Sequence, residues 1–305
     1  MYYQWSFCEL AGPMFSGHED REIMEDLKLR SPPPEDIFCF PLVDIWRARV
    51  WNLLSDYVTA DVKAAFVQMS PEWIASDDLS WLDDLIFDVT GKICQTKDLL
   101  GSRLRQEYRA FRVGHATRTN DLSSFYKHGL RFLRAGEIED RARSIFLNGQ
   151  SLDATEDRLQ KAIDDLHARD TPGGREGHLY FCANERSLIT RPGGSGHYLI
   201  YGSEYLYCLG MRMASTWETK RLLKGIGRPT MFVCDIPMAF IPASTLQEFA
   251  GIIIAHLFCE LVDELNSDAL HSSAGSALSL AVDISADHIV GHYHPQKIYD
   301  PLWSA

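Results

Sequence analysis

The chain has 305 residues, 46% hydrophobic and 24% charged, with a formal charge of −12. Those proportions exclude a disordered or fibrous chain and leave ample material for a buried core. The acidity argues against broad nucleic-acid binding through bulk charge. Seven scattered cysteines without a CxxC pair argue against a zinc ribbon or disulfide framework, and for reduced thiols in the cytoplasm.

The opening "MYYQWSFCELAGPMF" lacks a basic stretch followed by an apolar run, so no signal peptide is expected. "RSPPPEDIFCFP" (30–41) is a connector, because three successive prolines cannot sit inside a helix. "FPLVDIWRARVWNLLSDYV" and "SPEWIASDDLSWLDDLIFDVTGKI" carry apolar residues at helical spacing, with Ser70 three before Trp73 and early aspartates suited to helix initiation. Residues 1–105 therefore read as a mostly helical region without identifiable chemistry. "SRLRQEYRAFR" is a candidate local basic patch.

From residue 106 the texture changes, and 106–305 is expected to form the main domain. "YRAFRVGHAT" alternates as a half-buried strand does, and "DLSSFYKHGLRF" is a short helix with Asp121 as N-cap and Gly129 as a left-handed C-terminal cap. Residues 134–170 are helical and strongly charged, within an insertion spanning 134–178 that could cover a site as a lid. "HLYFCA" predicts a strand and "NERSL" a capped helical turn. "RPGGSGH" could cradle a phosphate with its amides, although a flexible loop is the commoner meaning. "PTMFVCDIPMAFIP" is a strong strand. Thr245 and Glu248 suggest a capping box for a core helix over 246–266. Its apolar part "FAGIIIAHLFCELV" (249–262) is read as too short to span a bilayer and is interrupted by His256 and Glu260. "LSLAVDISADHIVGHYHP" supplies a last strand, and the spacing of His292 and His294 alone is thin support for a metal. The fold class expected is α+β.

The stretch "GHATRTN…FYKHGLR" resembles the first motif of ADP-ribosyltransferases of the diphtheria-toxin and poly(ADP-ribose) polymerase type. In that group a strand-end histidine is followed two residues later by Ser or Thr, and a helix then ends in Gly-Leu; here these are His115, Thr117, Gly129 and Leu130. "GHLYFCANERSL" resembles the second motif through Tyr180, Phe181 and Ala183, and "YGSEYLY" resembles the third, a glutamate in a Glu-Tyr pair, through Glu204. Where the family usually carries glycine after the histidine, this chain has Ala116. The resemblance implies a split β-sheet core with an N-terminal helical region and a helical insertion, and NAD as the substrate. It also implies that His115 and Thr117 bind the adenosine-side ribose, the backbone at Ala116 holds the carboxamide, Tyr180 stacks on nicotinamide and Glu204 is the catalytic carboxylate. Arg118 could contact an NAD phosphate or be solvated. If "SEYLYCLGMRM" is instead a helix, the carboxylate lies further on, with Glu248 as the substitute.

The chemistry explains why such residues belong together. Breaking the nicotinamide–ribose bond develops oxocarbenium character, which a carboxylate stabilises and an aromatic ring frames. The expectation is an NAD-consuming ADP-ribosyltransferase, an intracellular bacterial toxin or defence effector, acting on a protein or nucleic-acid acceptor, restrained by an antitoxin or regulatory partner, with no membrane role. Three alternatives stand beside it. They are an RNA 2′-phosphotransferase using Arg112, Arg118 and Arg186, an NAD glycohydrolase, and a catalytically inactive binding module.

Overall fold

The structure, a computed structural model, describes residues 33–69, 74–148, 154–169, 176–190, 196–262 and 277–300. Ser70–Trp73 and all of the "RPGGSGH" loop before Gly196 lie outside them; residues 74–79 are not helical, so the helix expected to start at Ser70 begins only at Ser80. In chain order the elements are β1 (Ile37–Phe38), α1 (Val43–Leu54), α2 (Ala60–Met69), α3 (Ser80–Thr90), α4 (Thr96–Glu107) and β2 (Ala110–Thr119). There follow α5 (Leu122–His128), α6 (Ala135–Phe146), α7 (Glu156–Arg169), β3 (Leu179–Cys182), α8 (Glu185–Thr190), α9 (His197–Tyr201), α10 (Glu204–Met213) and α11 (Thr216–Lys224). The last are β4 (Arg228–Pro237), α12 (Ala243–Val262), β5 (Ala277–Leu280) and β6 (Ile289–Tyr293). The class is α+β, as the sequence pattern predicts.

The N-terminal helices form because each carries one apolar stripe. Helix α1 buries Trp46, Val50 and Leu54 at four-residue spacing, and α3 buries Leu82, Leu85 and Ile86 before Gly91 ends it at φ 72°. Gln95 offers α4 no side-chain cap, so Asp83 of α3 supplies one, accepting from Thr96 N (2.9 Å) and Thr96 Oγ1 (2.7 Å). These helices share one hydrophobic cluster with the sheet, running from Trp46, Leu82 and Leu100 to Phe111, Phe232 and Phe249. The boundary expected at 105/106 thus passes through a single core. Helix α12 explains why. Its 20 residues are long and apolar enough by composition to cross a membrane, longer than the 14-residue run suggested, and much of that surface is buried between the α1–α4 layer and the sheet. It starts at Ala243, so Thr245 sits inside its first turn. The capping box is found instead at Ser215 and Glu218 of α11.

The sheet order is β5-β3-β2-β4-β6, with all these neighbours antiparallel and β1 added parallel to β2. Strands β2 and β4 pair along ten positions, from Ala110↔Pro237 to Thr119↔Arg228. Strands β2 and β3 pair only at Gly114↔Cys182. The sheet is therefore two halves, β5-β3 and β2-β4-β6, joined at one residue pair. The segment expected to give one last strand gives two, β5 and β6, which lie at opposite edges.

Strand alternation sorts the side chains onto two faces. Phe111, Val113, Phe181, Phe232 and Cys234 belong to the core under α12, while Ala116, Cys182, Met231, Val233 and Tyr293 pack with Leu188 of α8 and Leu199 of α9. The charged insertion folds as α6 and α7, whose apolar stripes (Ala142, Phe146, Leu159, Ile163) meet Leu206 and Leu209 of α10 in a second cluster.

Candidate active site at the β2–β3 split

His115 sits where the two halves of the sheet part. Its Nδ1 lies 3.0 Å from the carbonyl oxygen of Tyr180, 65 positions away. A carbonyl only accepts, so Nδ1 carries the proton and Nε2 presents its lone pair. Burial holds the imidazole below its ordinary pKa, opposed by the bond to Tyr180. The ring is consequently neutral at pH 7 and can accept a hydroxyl proton at Nε2. The first two sequence motifs are thus in direct contact.

Their side chains nevertheless do not share a face. The pair Gly114↔Cys182 puts Tyr180 on the face of Gly114 and Ala116, whereas His115 lies with Phe181, ring centroids 5.6 Å apart. A single cleft in which imidazole, phenol and carboxylate converge would need these two side chains together, and the sheet sends them to opposite faces. The cause is the two-residue period of strands, which a single bridge is enough to fix. Gly114↔Cys182 is the one β2–β3 pair in register among the described residues.

Tyr180 is half-buried and pairs with Ser279 across the β3–β5 ladder. Two residues before it, His178 shares its face, with ring centroids 6.3 Å apart, and bonds Ser279 Oγ through Nδ1 at 2.9 Å. Thr117 lies opposite Thr230 on the His115 face and is half-buried. Arg118 is neither solvated nor open to a phosphate. It is 8% exposed, and its guanidinium donates to the carbonyls of Leu199 (3.1 Å), Lys224 (2.6 Å), Ile226 (2.9 Å) and Gly227 (2.8 Å). Four of the five N–H groups an arginine owns are thereby committed to fastening α9 and the end of α11 onto β2.

Glu204 is the first residue of helix α10, behind the N-cap Ser203, and does not lie on a strand. Its carboxylate accepts from Tyr198 Oη at 3.2 Å and stands 3.6 Å from His197 Nε2, with 38% of the side chain exposed. Both partners belong to α9, whose Leu199 shares an apolar cluster with Ala116. Glu248 is exposed on α12, within the helical layer on the other face. Sequence reasoning missed Glu185, the first residue of α8. It is 7% exposed, accepts from Tyr293 Oη at 2.6 Å and lies directly over Gly114. The only signal was an acid three residues after a strand, which reads equally well as a helix-start residue.

The arginines once read as a basic patch all have internal partners. Arg103 bonds Asp56, Arg105 bonds the Ile241 carbonyl, Arg109 bonds Asp36, and Arg112 makes a two-pronged pair with Asp235 at 2.7 and 2.9 Å. Arg186 is half-buried on α8. A cleft of about 490 Å³ lined by Asp36, Arg105, Tyr108, Arg109 and Met238 opens at the Ala110–Pro237 end of the sheet, and none of His115, Thr117, Tyr180 or Glu204 lines it. Among the described residues no group of His, Cys, Asp and Glu forms a metal site, His292 and His294 included. No protein-family model, curated protein or solved structure matches this chain.

Proposed function

We propose that the chain is an NAD-consuming ADP-ribosyltransferase with the β2–β3 split as its NAD site. The observation that carries this reading is the 3.0 Å bond between His115 Nδ1 and the Tyr180 carbonyl, which joins two motifs far apart in sequence at the point where a split sheet opens. A split sheet is also what the resemblance implies for the finer fold, an ADP-ribosyltransferase-like core.

In this reading His115 Nε2 accepts from a ribose hydroxyl, and the backbone at Ala116 holds the carboxamide. Tyr180 stacks on the nicotinamide ring, a contact worth about 0.5–1.5 kcal/mol beyond area burial. Glu204 supplies the carboxylate that stabilises the developing oxocarbenium charge. Glu204 is preferred to Glu185 because it keeps solvent access, whereas the Glu185 carboxylate is sealed against Gly114 and Tyr293. The phosphotransferase alternative is disfavoured, since Arg112 and Arg118 are both committed internally. The acceptor is a macromolecule, and an antitoxin or other regulator would restrain the activity in the cytoplasm.

The test incubates the purified chain with labelled NAD and measures nicotinamide release and NAD affinity, for the native protein and for Glu204→Gln. The native chain is expected to release nicotinamide, and the variant to bind NAD within a few-fold yet lose roughly a hundredfold or more in rate. Equal release by both proteins removes Glu204 from catalysis. A native chain that neither binds nor cleaves NAD ends the proposal.

A further inference from the structure

On the His115 face, beyond Phe232, the sheet ends in an aromatic and cationic surface that the NAD site does not use. Tyr126 of α5 stands 42% exposed, with its hydroxyl 2.6 Å from Nδ1 of His292 on β6. His292 lies opposite Phe232, which lies opposite His115, so the two imidazoles are about 10 Å apart, two strand spacings. The ring of His294 follows at 5.3 Å from that of His292. Its Nδ1 is 2.8 Å from the Pro229 carbonyl and 3.2 Å from Thr230 Oγ1, which leaves Nε2 uncommitted by these bonds. Arg228, exposed at the start of β4, is close enough to disfavour a positive charge on His292.

Two features separate this surface from ordinary solvated strand ends. Burial, His294 and Arg228, in that order, hold His292 below its ordinary pKa, and no carboxylate is among the groups acting on it. The Tyr126 ring is also fixed, by the bond to His292 and by edge contact with Phe232 at 6.3 Å, so a planar group stacking on it would lose little ring freedom. An exposed aromatic held rigid beside a guanidinium and imidazoles is an arrangement suited to single-stranded nucleic acid, stacking a base and neutralising its phosphate. Tyr126 and Arg228 are exposed among the described residues, and His292 lies on the sheet's edge strand, which suits a strand laid across it better than an enclosed mononucleotide.

We propose that Tyr126, His292, His294 and Arg228 form a binding surface for single-stranded nucleic acid, with a base stacked on Tyr126 and a phosphate between Arg228 and the two imidazoles. Binding stands on its own observations; identifying the bound strand as the acceptor of ADP-ribose rests on the reading of the NAD site above. Because a phosphate favours protonated imidazole, binding takes up protons. The groups facing His292 in this linkage are Tyr126, His294 and Arg228.

The experiment is fluorescence anisotropy of the whole chain with short labelled single-stranded DNA and RNA of mixed sequence, and with a duplex control. Saturable binding to a single strand is expected, weakening as salt rises from about 50 to about 200 mM and tightening from about pH 8 to about pH 6. Tyr126→Ala and Arg228→Glu are each expected to weaken it about tenfold or more, with the thermal midpoint of the exposed Arg228 variant serving as the folding control. No binding at low salt overturns the proposal. So does binding that both variants leave unchanged, or a strand displaced one-for-one by NAD, which would give this surface to the dinucleotide. None of these readouts uses NAD cleavage, so the binding surface can fail while the transferase reading stands, and the reverse.

Discussion

Gly114 is the pivot of the split sheet, and replacing it by alanine tests how the site is held. A Cβ built there would lie 2.5 Å from Glu185 Cγ, 2.9 Å from Glu185 Cδ and 2.8 Å from Met231 Sδ, all closer than real Cβ atoms approach. Glu185 cannot simply swing away, because Tyr293 Oη holds its carboxylate at 2.6 Å in a buried setting. Overpacking of this kind costs about 1–3 kcal/mol, and exchanging a strand glycine for alanine returns roughly 0.5–1 kcal/mol of backbone entropy. The net expectation for Gly114→Ala is a loss of about 1–2 kcal/mol, read from the midpoint of urea unfolding with an unchanged slope. Glu185→Ala removes two of the three clashing atoms, leaving Met231 Sδ, but deprives the Tyr293 hydroxyl of this acceptor, at a cost of about 1–3 kcal/mol. The double variant should therefore be more stable than the sum of the two losses by about 1 kcal/mol, the signature of a shared contact. If Gly114→Ala matches the native chain, or if the two losses add, the packing of Glu185 against Gly114 is refuted.

Gly129 has φ 77°, ψ −161°, a positive-φ extended conformation rather than the left-handed helical one expected of a cap, and an added Cβ would overlap the backbone oxygen of Ile284. Gly129→Ala should lose more stability than Gly114→Ala in the same urea assay, because backbone cannot rotate aside. Arg112→Met leaves Asp235 charged and largely buried and should cost about 3–5 kcal/mol, while adding Asp235→Leu should recover most of it; a double variant as unstable as the single would refute the pairing. His115 is depressed in the folded state, so acid favours protonation of the unfolded chain. The stability contributed by its neutral ring is intact above the unfolded value of about 6.5 and is lost as pH falls through the folded one, a loss that His115→Gln should lack. Parallel stability curves for the two proteins below about pH 6.5 would show that His115 is not the group titrating.

Much of this protein follows from local sequence. The alternation of "YRAFRVGHAT" gives β2, the apolar run "TMFVC" gives a strand buried on both faces, and Asp121 caps α5 by accepting from Ser124 N at 3.1 Å. Such features depend on neighbours within a few residues, which is why they are legible. "SEYLYCLGMRM" admits two meanings, because its glutamate fits a Glu-Tyr pair as well as the first turn of a helix; Ser203, accepting from Leu206 N at 3.3 Å, decides for the helix.

What the tertiary structure alone decided is which distant atoms become neighbours. One bridge, Gly114↔Cys182, sends the His115 and Tyr180 side chains to opposite faces, and no local pattern encodes that register. Arg118 is spent on carbonyls about 80 to 110 residues away, and Glu185 disappears beneath Gly114. A strand's period fixes that its residues alternate; which alternate residues meet a ligand depends on the strands beside it, and those arrive from the far ends of the chain.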